Sequence, residues 1–384
     1  MYYTLTMKLF NSYSQSVEEF QTLEEKQVRM YICGITPYDT THLGHAFVYV
    51  QFDALKRFLE FKGYKVTYTQ NVTDIDDDIL KRAKRDGKDW IELGDSWTEK
   101  FLADLKALNV QMPDHYIKAT SAIDEIVEMV SGLIEKGFAY ESQGNVSFEV
   151  SKFSEYGKLS KYPEQKMLEL LKERGGNPDD HNKRAPLDFI LWQKSAEGEP
   201  SWDSPWGKGR PGWHIECSAM IKKTLGEQID IHGGGFDLIY PHHESEIAQS
   251  QSFTGLSPFV KYWMHIAMVS YQGEKMSKSL GNLVLVADLL KKYSANAVRL
   301  MLLLNHYRKP WEFTDRHIEE AQELMNKLEQ RFNNVGADTL GLDDLIQDME
   351  KDFNLQDAIN KLVEVSENEP ERAKSGFELL GFRL

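Results

Sequence analysis

The sequence is poor in cysteine, in long apolar runs and in positive charge. Its 384 residues include two cysteines, Cys33 and Cys217, which are too few for the disulfide framework of a small secreted protein. No apolar run is long enough to span a membrane, and the first residues lack the basic and apolar segments of a signal peptide. These absences predict a cytoplasmic protein with no membrane contact.

Positive charge is also scarce, since the net charge is −15 at pH 7. This balance argues against a broad basic surface for nucleic acid, although a local basic patch is compatible with it. The length allows one large domain and a smaller one. We expect residues 1–310 to form the large domain. Residues 311–384 should form a helical bundle, because apolar residues there recur at helical spacing.

The stretch Tyr31–His45 predicts a strand, a tight turn and the start of a helix. Val28–Cys33 is typical of a buried strand, and Gly34 and Pro37 are expected to end it. After His42-Leu43-Gly44-His45, apolar residues recur at helical spacing. A helix N-terminus that follows a strand favours anions, because its free N–H groups and the helix dipole face the ligand.

Two further segments bear on phosphate or metal binding. The glycine-flanked stretch Lys275-Met276-Ser277-Lys278-Ser279 carries two cations on a predicted loop. The acidic run Thr73–Asp78 directly follows a predicted strand at Lys65–Val72. This run could bind Mg²⁺, but acidic residues in the first turn of a helix are the stronger interpretation.

Cysteine, histidine and glutamate recur in a pattern that suits a metal. His242 lies four residues before Glu246, so on a helix both side chains face one side. With Cys33 and Cys217 they offer two thiolates, one imidazole and one carboxylate, a set that suits Zn²⁺. The spacing alone fits equally well a helix start at His242 and two cysteines buried as small apolar residues.

These motifs resemble those of cysteinyl-tRNA synthetases, a family of class I aminoacyl-tRNA synthetases, over residues 28–310. The resemblance implies an α/β fold with a Rossmann-type doubly wound parallel sheet, an insertion at about residues 112–205 and a C-terminal helical bundle. It implies a monomer that activates L-cysteine with ATP to cysteinyl-adenylate and transfers it to tRNA(Cys). Mg²⁺ would accompany the ATP.

The resemblance also implies roles for individual residues. One zinc ion per chain would be held by Cys33, Cys217, His242 and Glu246 and would bind the thiolate of the substrate. Zinc prefers a thiolate to a hydroxyl, which would separate cysteine from serine. Catalytic and ATP contacts would come from His42, Gly44, His45, Lys275 and Lys278, and substrate contacts from Thr73, Trp213, His232 and Asp237. For Trp213, packing in the core is the alternative.

Some features resemble instead mycothiol ligase, which joins cysteine to an amino-sugar inositol through the same adenylate. Phe47 and Glu173–Pro178 are of this kind, and Thr36 could replace Glu246 as the fourth ligand. Glu246 and Glu350–Asn354 follow the synthetase pattern. The chain ends where the anticodon-reading part of a synthetase would begin, so we expect recognition through the acceptor end of tRNA. A binding module without catalysis is the third alternative.

Overall fold

The computed structural model describes residues 7–276 and 281–384. The strands are β1 (Lys8–Asn11), β2 (Ser16–Glu19), β3 (Gln27–Ile35), β4 (Lys65–Val72), β5 (His115–Lys118), β6 (Ala139–Ser142), β7 (Asn145–Phe148), β8 (Phe189–Lys194), β9 (Gly209–Pro211), β10 (Ile229–Gly235), β11 (Val260–Ile266), β12 (Val269–Tyr271), β13 (Glu274–Lys275) and β14 (Trp311–Phe313). The helices are α1 (Leu43–Phe61), α2 (Asp77–Asp86), α3 (Trp90–Ala107), α4 (Ile123–Glu135), α5 (Glu164–Glu173), α6 (Trp213–Leu225), α7 (Glu244–Thr254), α8 (Val286–Leu289), α9 (Ala295–Leu303), α10 (Asp315–Phe332), α11 (Leu342–Ile346), α12 (Leu355–Val365) and α13 (Pro370–Leu379).

A parallel five-stranded sheet forms the centre of the molecule, with the order β11-β10-β3-β4-β5. In β3, Met30 pairs with Tyr68 on one side and Ile231 on the other. Helices cover both faces, which explains why Met30–Cys33 of β3 is a continuous buried apolar run instead of an alternating one. The sheet confirms the α/β class and the doubly wound architecture expected from the sequence.

The turn after β3 differs from the prediction. The strand does not end at Gly34 but continues to Ile35, with a register shift against β4 between Ile32 and Ile35. A Cβ atom on Gly34 would lie 1.6 Å from the backbone oxygen of Asn71. The glycine therefore lets the two strands approach closely at their carboxyl ends.

Other boundaries are also corrected. The sequence predicts one strand over His265–Val269, but β11 ends at Ile266 and a second strand, β12, begins at Val269. The sequence also predicts a hairpin around Gly144-Asn145, and its turn lies one residue earlier, at Gln143 and Gly144, both with positive φ. An insertion starting near residue 112 would contain β5, but β5 pairs with β4 in the main sheet. The separate antiparallel sheet β6-β7-β8-β9 lies within residues 139–211.

The C-terminal helices α10–α13 follow the predicted helical pattern, and they share one hydrophobic core with α1 and α9. A buried ion pair between Arg299 of α9 and Asp53 of α1 lies beside this contact. Arg299 also donates to the backbone oxygens of Leu380 (2.7 Å) and Leu108 (2.9 Å). The domain boundary near residue 310 stays a prediction. Among the described helices, none combines the length and apolar character that crossing a bilayer requires.

Candidate active site

The start of α1 forms one wall of a cavity of about 200 Å³ at the carboxyl edge of the sheet. His42 caps α1, because its Nδ1 accepts a hydrogen bond from the Gly44 N–H at 3.1 Å. The His42 and His45 rings stack with centroids 3.8 Å apart. All three residues line the cavity together with Lys275 and Asp237. This cavity therefore brings together five residues that were predicted to contact ATP or the substrate: His42, Gly44, His45, Asp237 and Lys275.

Lys275, the first residue of the predicted lysine loop Lys275–Ser279, ends a small three-stranded sheet, here called the platform. β12 pairs in parallel with β14 and antiparallel with β13, which ends at Lys275. The backbone oxygen of Tyr307 accepts a hydrogen bond from the Ala267 N–H at 2.7 Å and supports the platform. Lys278, the second predicted cation, lies outside the described residues.

Three of the four predicted metal ligands meet in one buried group. Glu246 Oε1 lies 3.1 Å from His242 Nε2 and 4.0 Å from Cys33 Sγ, as the i, i+4 spacing predicted. His243 joins them, since the ligand atoms of all four side chains lie within 4.8 Å of one another and its Nε2 lies 3.3 Å from Cys33 Sγ. Cys217 is not in that set, but its Sγ lies 4.0 Å from Cys33 Sγ. Glu246 is therefore within reach of Cys33 and His242, and the choice between Glu246 and Thr36 as the fourth ligand stays a prediction.

The donor atoms fit a zinc ion. With Zn–S bonds of about 2.3 Å, two sulfurs on a tetrahedral ion lie about 3.8 Å apart, close to the spacing of Cys33 and Cys217. Burial, followed by the hydrogen bond to Cys217, raises the pKa of the Cys33 thiol, and burial raises that of the Glu246 carboxyl. In the described part of the chain, neither group pairs with a lysine or an arginine. A divalent cation would therefore favour their charged forms.

Two further histidines, His232 and His214, contact this group of candidate metal ligands and orient its side chains. His232 Nε2 lies 2.8 Å from the other oxygen of Glu246, and His214 Nδ1 lies 3.0 Å from His242 Nδ1. Burial lowers the pKa of His232 to about 3. Burial, together with the charge of Lys183, lowers the pKa of His214 to about 3. Both rings are therefore neutral at physiological pH.

His243 is oriented by a chain of buried side chains. Its Nδ1 lies 2.8 Å from His265 Nε2, and His265 Nδ1 lies 2.8 Å from the Ser12 hydroxyl. Sequence reasoning missed all three residues. A signal existed for His243, which stands three residues before Glu246 and so shares its helical face. Nothing local could have indicated Ser12, which reaches the site from the turn between β1 and β2.

The predicted substrate residues fall into two groups. Trp213, the first residue of α6, stacks on His242 with centroids 4.5 Å apart, and His232 contacts Glu246. Thr73 is buried at the end of β4, where its N–H donates to the Ile35 oxygen at 3.0 Å. Asp237 instead lines the cavity at the start of α1, which is predicted to bind ATP and is called the nucleotide cavity below.

The acidic run Thr73–Asp78 leads into the start of helix α2, as the stronger interpretation of the sequence predicted. Asp76 caps α2 by accepting from the Asp78 N–H at 2.8 Å. Asp74 accepts from the Thr120 N–H at 3.0 Å and from its hydroxyl at 2.6 Å. These carboxylates already serve the fold, which weakens the case for a separate Mg²⁺ site.

Comparison with known proteins places this site in a family. The family described as tRNA synthetases class I (C) catalytic domain matches residues 19–323. A cysteine–tRNA ligase of Dehalococcoides mccartyi is 46% identical over 368 residues, which are 94% of this chain and 80% of that protein. The chain belongs to the cysteine–tRNA ligase family.

Further members of this ligase family come from distant organisms. The cysteine–tRNA ligase of Carboxydothermus hydrogenoformans is 46% identical over 98% of this chain and 80% of its own length. The cysteine–tRNA ligase of Thermococcus onnurineus is 46% identical over 93% of this chain and 74% of its own length.

Solved structures agree on the class I fold. A methionyl-tRNA synthetase of Mycobacterium tuberculosis, in complex with methionyl-adenylate, matches with a TM-score of 0.68 at 17% identity over 92% of this chain and 88% of its own. The LeuRS of Agrobacterium radiobacter K84, in a ternary complex with tRNA and LeuAMS, matches with a TM-score of 0.64 at 11% identity. It covers 94% of this chain and 84% of its own.

Proposed function

We propose that this chain activates L-cysteine with ATP and transfers it to tRNA(Cys). The observation that carries the proposal is the buried Cys33–His242–Glu246 group beside the histidine-lined cavity, in a chain 46% identical to cysteine–tRNA ligases. The same relatives favour tRNA over a small amine acceptor. The monomeric state and the cytoplasmic location stay predictions from the sequence.

The cavity residues supply charge and orientation. His42, His45 and Lys275 would contact the ATP phosphates, with Lys278 as a second cation and Mg²⁺ bound by the nucleotide itself. Activation develops charge on the phosphates, so well-placed donors lower the barrier without a strong base. Asp237 and the N–H groups at the start of α1 would orient the nucleotide.

The buried group would select the amino acid. Cys33, Cys217, His242 and Glu246 would hold one zinc ion, and His232 would fix the orientation of Glu246. A zinc ion bound there would supply a Lewis-acid contact for the substrate thiolate, which serine cannot match. Trp213 would close the pocket over His242.

Aminoacylation of tRNA(Cys) by the purified chain tests the proposal, with serine and the amino-sugar inositol as competing substrates. We expect charging with cysteine only, and no transfer to the sugar. His45→Asn should lower kcat for pyrophosphate exchange by about 10²–10³-fold, because the shorter amide has no donor at the position of the ring nitrogen Nε2, next to the developing charge. The exposed His181→Asn is the control. Transfer of cysteine to the sugar, without charging of tRNA, would contradict the proposal.

A further inference from the structure

The turn that leaves β10 carries an exposed aromatic residue between two residues that line the nucleotide cavity. Phe236 is 48% exposed, whereas its neighbours Gly235 and Asp237 both line the cavity. Among the described residues, five other large apolar side chains are exposed, none is aromatic and none adjoins a cavity-lining residue. They are Val17, Ile91, Met112, Leu256 and Leu340.

Packing within the fold does not explain this ring. No other aromatic ring or cation of the described chain lies against Phe236. The turn itself is tight, because a Cβ atom on Gly235 would lie 2.6 Å from Asp237 Oδ1. The single helical turn Phe236–Leu238 follows directly. The side chain of Phe236 is therefore an exposed apolar surface at the carboxyl edge of the sheet.

The insertion brings a cation to the same place. Arg174 follows the last residue of α5, and its Nη1 lies 3.3 Å from Asp237 Oδ2. The side chain is 23% exposed, and its Nε is buried without a partner. The guanidinium therefore lies beside the residue that follows Phe236, and it retains donors for a ligand.

An exposed aromatic face next to a guanidinium is the chemistry that binds single-stranded nucleic acid. Unpaired bases stack on aromatic rings without regard to sequence, and arginine contacts the backbone phosphates. The proposed transfer requires the terminal sugar hydroxyl of tRNA to reach an activated carboxyl group inside the cavity. The unpaired 3′ end must therefore pass its mouth.

We propose that Phe236 and Arg174 form the binding site for the unpaired 3′ end of tRNA, with a base stacked on Phe236 and a phosphate bound by Arg174. The inference rests on the proposed function and specifies how the acceptor end enters the site. Its rival is a role for Phe236 in stacking on the adenine of ATP.

Phe236→Ala distinguishes the two roles. We expect kcat/KM for charging of tRNA(Cys) to fall about 10-fold, the loss that one stacked base gives. Pyrophosphate exchange, which needs only ATP and cysteine, should change less than twofold. Phe236→Trp should restore charging, and Phe236→Leu, which lacks a π face, should not.

The control variant is Leu256→Ala, which removes a 39% exposed apolar side chain at the opposite, amino edge of the sheet, before β11. It should leave both reactions unchanged. Melting temperatures of all variants, compared with the unmodified chain, separate a binding defect from misfolding.

Two binding measurements sharpen the test. Phe236→Ala should weaken binding of intact tRNA(Cys) but not of the same tRNA without its unpaired 3′ nucleotides. Arg174→Gln should reduce the slope of log Kd against log salt by about 0.7, the value for one contact to a single strand. Equal weakening of both tRNAs, or an unchanged salt slope, would overturn the proposal.

A rise in KM for ATP in the exchange reaction, with charging otherwise intact, would assign Phe236 to the adenine and also overturn it. If the unmodified chain itself shows no exchange and no charging, the proposed function fails instead, so the two failures are distinguishable.

Discussion

Cys33 contacts both Cys217 and His243, and either of these two side chains could complete the proposed zinc site. His243 belongs to the same group of donor atoms as Cys33, His242 and Glu246, but its Nδ1 is already held by His265. Cys217 offers a thiolate at the sulfur spacing that one zinc ion requires. We therefore expect Cys217 to bind the metal, and His243 to orient Cys33 through its second nitrogen.

Metal titration of two variants checks this assignment. Cys217→Ser should lower zinc affinity by at least about 10²-fold, because a hydroxyl is a poor substitute for a thiolate. His243→Gln should lower it by about 10–100-fold, as loss of an orienting partner does. Competition with a chromophoric chelator measures both values. Full retention of zinc by Cys217→Ser, with complete loss in His243→Gln, would reverse the two roles.

The site was only partly predictable from the sequence. His242 and Glu246 are close because i and i+4 share a helical face, which is a local rule. Ser12 and His265 meet across a sequence separation of 253 residues, and no local rule reports such a contact. The resemblance to a family supplied the pairing of the two cysteines, which spacing alone left open.

At the scale of elements, the approach of β3 to β4 fixes where Cys33 lies. Gly34 N–H donates to the side chain of Asn71 at 2.7 Å, and the register shifts at this point. Sequence reasoning took the glycine as the end of the strand, because glycine usually interrupts a strand. It also missed β5, whose four residues form a half-buried edge with a weak pattern.

Gly34→Ala tests this approach. The added Cβ would meet the Asn71 oxygen at 1.6 Å, so the strands must separate. We expect a loss of unfolding free energy of about 3 kcal/mol, as overpacking in a rigid interior gives, together with weakened metal binding next to it. Gly336→Ala, where the new Cβ meets no atom within 4 Å, should be neutral in chemical denaturation. Equal stability of the two variants would contradict the close approach.

At the scale of the whole molecule, a buried ion pair between α1 and α9 also reaches the C-terminal helices through its arginine. Asp53 accepts from Arg57 at 2.9 Å and from the Gln111 N–H at 2.7 Å, and it pairs with Arg299. Arg299 in turn holds the backbone oxygen of Leu380 near the C-terminus. The last helix is thereby fixed against α1 by polar as well as apolar contacts.

Arg299→Met should cost about 3–5 kcal/mol of unfolding free energy, because it leaves the Asp53 charge buried beside fewer partners. Hydrogen exchange of residues 377–384 should accelerate at the same time. Arg316→Met removes an exposed i, i+4 pair with Glu320 and should change stability by less than about 0.5 kcal/mol. Unchanged exchange at the C-terminus in Arg299→Met would contradict the role of this arginine.

The stability of the metal-free protein should fall as pH is lowered from 7 to 5. Burial lowers the pKa of the five clustered histidines, His214, His232, His242, His243 and His265. The unfolded chain binds protons on them below about pH 6.5 and the folded chain does not, so unfolding takes up protons there. Each histidine then contributes a slope of up to about 1.4 kcal/mol per pH unit. Denaturant titrations of chelator-washed protein should show this fall, and a flat profile would contradict it.

The strand order has a consequence for biosynthesis. β3 pairs with β10, and the Arg29 N–H donates to Asp230 across 201 residues. Contacts so distant in sequence form late, since the intervening chain must first be closed into a loop. On the ribosome, the middle of the sheet cannot assemble until β10 has emerged. The Cys33 thiol therefore stays accessible to solvent in the nascent chain until β10 has emerged, and the group around it forms only after that point.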